Sequence, residues 1–390
     1  MKKIFFFIFL LGFIGIGLPK VNAAPIQNSN DSLTHSKLRF SLITCDAGDD
    51  LYTIWGHTAI RVVDSVNHTD FVFNYGSFDF NTPNFVAKFM KGDLLYFISV
   101  DTYSNFLYEY QYYGRDVHEQ VLNLNTAEKE KWYSELQINM MGNNRFYLYN
   151  FITDNCTTRV KDGLFKHYQV NQYSIGIHSF REEVVTAPYN NGLGWVGLGI
   201  DLLLGAVSDQ TPNLNQEAFL PILLYKKLAL NPRFVLATNH LKYNNKPLEK
   251  GIPPIVILII FLAIYIFFSI WNKLIPQRVA RILDIILLFL FGIGGLLVLY
   301  MSQISLHNAC HDNYNLIWLH PLYLLTIPVY FISKKWTSYL GYVFFIATIL
   351  LMIVSHWIPQ HFSAAVMVLM VVSLILQIRL IQRGTLENKK

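Results

Sequence analysis

Two side chains of this sequence are suited to nucleophilic chemistry as a pair. Cys156 lies in Phe151-Ile-Thr-Asp-Asn-Cys-Thr-Thr-Arg-Val160, and His57 lies in Trp55-Gly-His-Thr-Ala-Ile-Arg-Val-Val63. Asp154 or Asn155 can cap a helix that begins at the cysteine, because a short side-chain oxygen accepts from the N–H of N2 or N3. Cys156 then takes the first helical position, where unpaired N–H groups and the helix dipole favour a thiolate. A nucleophilic thiol also needs a base, and His57 opens an expected strand far upstream. The other cysteines are Cys45 and Cys310. Cys45 ends a strand, lacks helix-start support, and reads as a buried thiol or as a partner for Cys310.

A third group should orient the imidazole and fix its tautomer. It is expected on the strand antiparallel to His57, within Phe73-Asn-Tyr-Gly-Ser-Phe-Asp79. A one-residue register change swaps the face of every side chain, so Asn74, Tyr75 and Ser77 all stay open. A hairpin centred on Asn67 puts His57 opposite Ser77 and diagonal to Tyr75. Asn155, or a backbone N–H at the helix start, is the expected stabiliser of an oxyanion. Arg61, Arg115 and Arg159, with Asp162, read equally as phosphate ligands or as an ion-pair network. Near the C-terminal apolar segments, His307, His311 and Asp312 precede Asn313. A zinc site needs three or four convergent ligands; this cluster is short and Asn-rich, so no metal or other cofactor is assigned. Headgroup binding or docking onto the N-terminal part is the expectation there.

The elements that must hold these groups follow from pattern. Leu38–Cys45 reads as a strand. His57–Val63 and Asp70–Gly76 read as a hairpin around Ser65–Thr69. A short helix is expected over Pro83–Met90, closed by Gly92, then a strand over Leu94–Val100 and an aromatic helix over Tyr103–Tyr113. Val117–Leu124 reads as a strand. Asn125 with Glu128 makes a capping box for a helix over Thr126–Met140. The cysteine helix is expected over about 156–168, and another over Glu217–Leu230. Gly192–Val207 is apolar and Gly-rich, too short to span and interrupted by Asp201. It reads as a buried helix or as a membrane-facing element that lets a lipid chain reach the cysteine.

Hydrophobic residues make up 53% of the 390 and charged ones 15%, the balance of a membrane protein with a polar head. A net charge of +5 calls for no nucleic-acid partner. Residues 1–23 read as a signal peptide: Lys2 and Lys3, an apolar run over Ile4–Leu18, and an A-x-A-like end at Val21-Asn-Ala23. Residues 24–250 then form an exported catalytic domain, and 251–390 a transmembrane domain. Five spans are expected, at about 253–271, 283–302, 315–332, 339–355 and 362–381. Lys273, Arg278 and Arg281 follow the first, Lys334 and Lys335 the third, and Arg379 and Arg383 flank the end of the fifth. The positive-inside rule puts these loops in the cytoplasm and the head outside.

Four segments in order carry a resemblance: Gly56-His-Thr-Ala-Ile-Arg61, Asn74-Tyr-Gly-Ser-Phe-Asp79, Asp154-Asn-Cys-Thr-Thr-Arg159 and Asn313-Tyr-Asn-Leu-Ile-Trp318. Together they resemble the Lnb-type lipoprotein N-acyltransferases, over nearly the whole chain after the leader. The order His, then Asn-Cys, also resembles the lecithin:retinol acyltransferase group of the NlpC-like superfamily, which uses a permuted papain-like fold to take an acyl chain from phospholipid onto cysteine. The resemblance implies an α+β architecture: a permuted papain-like (NlpC-like) cysteine-enzyme domain outside the membrane, followed by an all-α five-helix transmembrane domain. It implies transfer of an acyl chain from a phospholipid to the N-terminal amine of diacylglyceryl-cysteine lipoproteins, at the bacterial inner membrane with the head in the periplasm. Cys156 is then the nucleophile and His57 the base, with the third residue open. The competing expectations are a periplasmic peptidase or amidase, a phospholipase, and a non-catalytic membrane scaffold.

Overall fold

The computed structural model describes residues 38–166, 173–190, 192–243, 251–270 and 277–385. The expected signal peptide lies outside these residues. The head is built on strands β1 (Leu38–Cys45), β2 (His57–Asp64) and β3 (Thr69–Ser77), then helix α1 (Phe85–Lys91), β4 (Leu95–Thr102), α2 (Tyr103–Tyr112), β5 (Val117–Leu122), α3 (Thr126–Asn139) and β6 (Phe146–Leu148). Helices α4 (Cys156–Phe165), α5 (Phe180–Asn190), α6 (Gly194–Leu203) and α7 (Pro221–Ala229) follow, and β7 (Val235–Leu241) completes it. The described strands form one sheet, ordered β6-β4-β3-β2-β1-β5-β7, every neighbour antiparallel.

Alternation along the strands divides two cores. Phe40, Leu42, Ile60, Val62, Phe73 and Tyr75 face a layer made by α3, α4 and α7. Ile43, Cys45, Ala59, Val72 and Val117 face α2. Each fully buried Leu, Ile or Phe contributes roughly 1.5–3 kcal/mol. Trp132 of α3 stacks on Phe40 at 5.0 Å. A Cβ at Gly163 of α4 would stand 2.6 Å from the Trp132 indole nitrogen, so that glycine permits the close packing of α4 on α3.

The β2–β3 hairpin forms, with a tighter register than one centred on Asn67. Asp64 pairs with Thr69 and Ile60 with Phe73. The cause is local: the Asp64 carboxylate accepts the N–H groups of Val66 and Asn67 and the Asn67 side-chain amide, which closes the turn one residue earlier. The Asn125–Glu128 capping box is present, with bonds of 2.9 and 2.7 Å. The helix expected over Glu217–Leu230 is instead a 3-10 turn, Gln216–Ala218, followed by α7, because Pro221 takes the first helical position of a separate helix.

The C-terminal part consists of α8 (Pro254–Ile270), α9 (Gln277–Gln303), α10 (Tyr323–Ile332), α11 (Lys334–Val354) and α12 (Ala364–Thr385). Among the described residues, three stretches are long and apolar enough to cross a membrane: Arg278–Gln303, Lys334–Val354 and Ala364–Gly384. Pro254–Ile270 and Tyr323–Ile332 are shorter. The stretch expected as one span over 315–332 is divided into a 3-10 turn, Tyr314–Ile317, and α10, with His320-Pro321 between them.

Helix α6 belongs with these helices: its Leu198 packs in their core, with Leu202 and Leu203 against it. The carbonyls at the end of α6 are satisfied by the loop after α9. Asn313 Nδ2 donates to Leu202 and Leu203, and Asn315 Nδ2 to Leu202. Gly205 N–H donates to Ala309 and Ala206 N–H to Asp312. Arg181 of α5 locks the same corner through Asp201, Asp209 and the Leu204 carbonyl.

Candidate active site

Cys156 opens α4 behind an Asn155 cap. Asn155 Oδ1 accepts from the N–H groups of Thr157 (2.8 Å) and Thr158 (2.9 Å), and Thr158 Oγ1 accepts from Asn155 N–H (2.7 Å). Asn155 Nδ2 donates to the carbonyls of Phe151 and Phe219. Both amide hydrogens are therefore committed. The side chain of Asn155 fixes the helix start and has no N–H to offer an oxyanion, which corrects that expectation. The cap claims the amides of Thr157 and Thr158 and leaves that of Cys156 unclaimed by it.

The imidazole facing Cys156 comes from the sheet. Nε2 of His57 lies 3.2 Å from Oδ1 of Asn74. An amide oxygen only accepts, so Nε2 carries the proton and Nδ1 is the nitrogen left for the thiol. The β2–β3 ladder stops at Ile60–Phe73, and β3 shifts its register against β4 between Asn74 and Ser77. The strands part there. By alternation His57 and Asn74 belong to the α2 face of the sheet, whereas α4 packs on the other face. Thiol and imidazole meet through the opening. Gly76, at φ +93°, permits the approach: a Cβ there would stand 3.4 Å from the Cys156 Cβ. Thr58 Oγ1 lies 3.0 Å from Thr157 Oγ1, which ties α4 to β2 beside the pair.

Electrostatics follow from this geometry. Burial opposes a thiolate at Cys156, but the facing His57 charge and hydrogen bond, the Thr58 N–H and the Thr157 hydroxyl outweigh it, and the thiol titrates below its ordinary range. His57 moves the opposite way: burial disfavours its charge, while Cys156 and Asn74 raise it. Cys45, equally buried, is pushed far upward by burial, which the Arg115 charge and the Tyr110 hydroxyl offset only in part. Burial likewise lifts Cys310 to about 12. All three thiols are free, so Cys45 and Cys310 do not pair.

The other expected residues divide. Tyr75 points to the α3 face, where its hydroxyl accepts from Asn139 Nδ2 (2.8 Å), and Ser77 bonds Ser99 (2.7 Å). Arg61 holds Asp70 and Glu119 and stacks on Tyr103. Arg159 holds Asp154 and lies over Tyr147. Those two arginines are ion-pair anchors. Arg115 is buried, donates from Nε to the Asp46 carbonyl (2.8 Å), and extends its charge to His57. His307 and Asn313 dock the membrane part onto the head, His307 through the Phe89 carbonyl (3.0 Å). His311 bonds the Ser305 carbonyl of its own loop (3.1 Å). Sequence reasoning passed over Gly76, Thr58 and the tyrosines at 147 and 149. Their one visible signal was the aromatic alternation of Phe146-Tyr-Leu-Tyr149 just before the cysteine.

Residues 27–173 match the Lnb N-terminal periplasmic domain, and residues 246–389 match the Lnb transmembrane domain. The chain belongs to the Lnb family. It is a membrane protein with a periplasmic domain. No curated protein and no solved structure matches it. Cys156, His57 and Asn74 all fall within the matched Lnb periplasmic domain, and His307 and Asn313 within the matched Lnb transmembrane domain. The segment between the two matches holds α5, α6, α7 and β7.

Proposed function

We propose that this Lnb protein is a membrane-bound lipoprotein N-acyltransferase, with Cys156 as its acyl carrier, His57 as its base and Asn74 as the group that orients His57. The observation that carries the reading is the buried thiol of lowered pKa at a capped helix start, facing an imidazole whose far nitrogen is held by Asn74. The head is a permuted papain-like enzyme facing the periplasm, and five spans anchor it in the inner membrane.

The reaction runs in two halves. His57 Nδ1 takes the Cys156 proton, and Sγ attacks the ester carbonyl of a phospholipid. The tetrahedral oxyanion is met by N–H groups at the start of α4 and at Thr58, where charge develops. The C–O bond breaks, the lysophospholipid oxygen takes the proton from His57, and a thioester remains. The α-amine of a diacylated lipoprotein then attacks the thioester, gives its proton to His57, and expels the Cys156 thiolate, which His57 reprotonates.

A thioester survives to meet an amine only where water is excluded. Cys156 is 9% exposed and lies near Tyr147 and Tyr149, both of which feel its charge. A peptidase acting on soluble cell-wall peptides has no use for a membrane domain fastened to its head. The test is turnover: purified protein in detergent with an acyl-labelled phospholipid and a diacylated lipopeptide. The expected product is an N-acyl lipopeptide whose new acyl group resists hydroxylamine. Release of free fatty acid alone, whatever lipopeptide is present, makes the protein a phospholipase.

A further inference from the structure

Helix α1 has no buried residue, although its sequence is Phe-Val-Ala-Lys-Phe-Met-Lys. Val86 is 44% exposed, and Phe80, in the turn before the helix, is 49% exposed. Phe85 and Phe89 pack against the head core, and Val86 and Phe80 form the outward apolar face. The position of that face names its occupant. Lys91 O accepts from the N–H of Leu306 (2.7 Å), and Phe89 O is held by His307. Gly92, at φ +82°, brings the end of α1 so close that a Cβ would stand 3.2 Å from the Leu306 Cβ. Leu306 follows directly on α9, one of the helices long enough to cross the membrane. The end of α1 is therefore fastened where α9 leaves the hydrocarbon. Lys88 lies in its last turn, suited to headgroup phosphates, while Lys91 beside it pairs with Asp93 at 2.6 Å.

On the inner side, aromatic rings run from this surface to the nucleophile. Phe80 meets Phe78 at 4.8 Å, Phe78 meets Tyr96 at 5.2 Å, and Tyr96 stacks on Tyr149 at 4.5 Å. Phe89 meets Phe151, on the loop that leads into the Cys156 helix, at 6.5 Å. We propose that α1 and the Phe78–Phe80 turn lie in the periplasmic-leaflet interface and form the doorway through which an acyl chain of a bilayer lipid reaches Cys156. The location stands on the contacts with α9; the acyl-chain role rests on the acyltransferase reading.

The experiment separates the two. Full-length protein carrying Cys156→Ala, which removes the reactive native thiol, and Val86→Cys, labelled with an environment-sensitive fluorophore, is placed in vesicles containing lipids spin-labelled near the headgroup. Val66→Cys is the comparison, because β2 separates the hairpin tip from His57 by roughly 23 Å. Quenching several-fold stronger at 86 than at 66 is the expected result. Equal quenching overturns the proposal whatever chemistry the protein performs. In the second arm, Val86→Asp is expected to slow Cys156 acylation from vesicle phospholipid by about tenfold, with alkylation of Cys156 by soluble iodoacetamide unaltered. Unchanged acylation, or an equal loss of alkylation, overturns the doorway. Absence of acylation in the wild type refutes the acyltransferase reading instead, and the quenching still decides where α1 lies.

Discussion

Oδ1 of Asn74 stands 3.2 Å from Nε2 of His57, across the point where strands β2 and β3 part. The amide oxygen holds the proton on the far nitrogen and turns the near one to Cys156. Asn74→Ala leaves the ring without its anchor. A positioning loss of this kind costs on the order of 10²-fold in rate. The expected result for Asn74→Ala is a fall of that size in kcat for acyl transfer with KM little changed. Tyr75→Phe and Ser77→Ala, whose hydroxyls point elsewhere, should stay near wild type.

The opposite shifts of Cys156 and His57 set a pH signature. While His57 carries a proton, the thiolate facing it persists below the ordinary thiol range. His57→Gln removes that charge and leaves only the Thr58 N–H and the Thr157 hydroxyl against burial, the largest influence, so the thiol should titrate above that range. The rate of iodoacetamide alkylation against pH reads this directly. The wild-type midpoint is expected on the acid side of a free cysteine, and the His57→Gln midpoint on the alkaline side.

Gly76 is a backbone requirement of the site. Its φ of +93° disfavours any L side chain, and a Cβ there would touch the Cys156 Cβ at 3.4 Å. Gly76→Ala should cost about 1–2 kcal/mol of stability, the usual penalty for an L-residue in left-handed backbone. Acyl transfer should fall by more than that loss accounts for, because relief of the strained φ shifts the backbone that touches the Cys156 Cβ. Thermal unfolding and turnover measured on the same preparation separate the two effects.

The cap of the cysteine helix depends on a buried ion pair some distance away. Asn155 donates to the Phe219 carbonyl. The turn that carries Phe219 is fastened by Glu217, which binds fully buried Lys227 at 2.8 Å and the Ser174 hydroxyl. Lys227→Met leaves a buried carboxylate without its partner and should destabilise the head by roughly 3–5 kcal/mol. Burial tends to raise Glu217, but its bonds to Lys227, Ser174 and Ile175 lower it below the ordinary carboxylate range. A lowered carboxylate adds stability above its unfolded pKa and loses it as pH falls through the folded value. Acid denaturation curves should therefore be steeper in the wild type than in Glu217→Gln.

Local signals were legible in the sequence, and long-range ones were not. The Asn125–Glu128 box and the helix cap before Cys156 depend on residues three apart, and both are present, with Asn155 rather than Asp154 as the cap. The choice among Asn74, Tyr75 and Ser77 depended on a register set by the Asp64 carboxylate inside the turn, which apolar periodicity does not encode. Strand β6 has three residues, and β7 (Val-Leu-Ala-Thr-Asn-His-Leu) is an exposed edge strand of mixed polarity. The alternation of β6 is too short to mark a strand, and β7 shows none. The stretch 315–332 is not one continuous helix but breaks at His320-Pro321, because the residue before proline is biased away from helix. The docking of α6 against the membrane helices was visible only as a Gly-rich apolar run with two readings.

The acyl-carrier role of Cys156 is tested most directly by intact mass. Wild type and Cys156→Ala, purified in detergent, are incubated with phospholipid and no acceptor. The wild type is expected to gain one acyl mass that hydroxylamine removes and the variant to gain none; the mass should leave on addition of a diacylated lipopeptide and reappear on it as an amide. A wild-type protein that stays unmodified, or an acyl mass that Cys156→Ala acquires equally, contradicts the account.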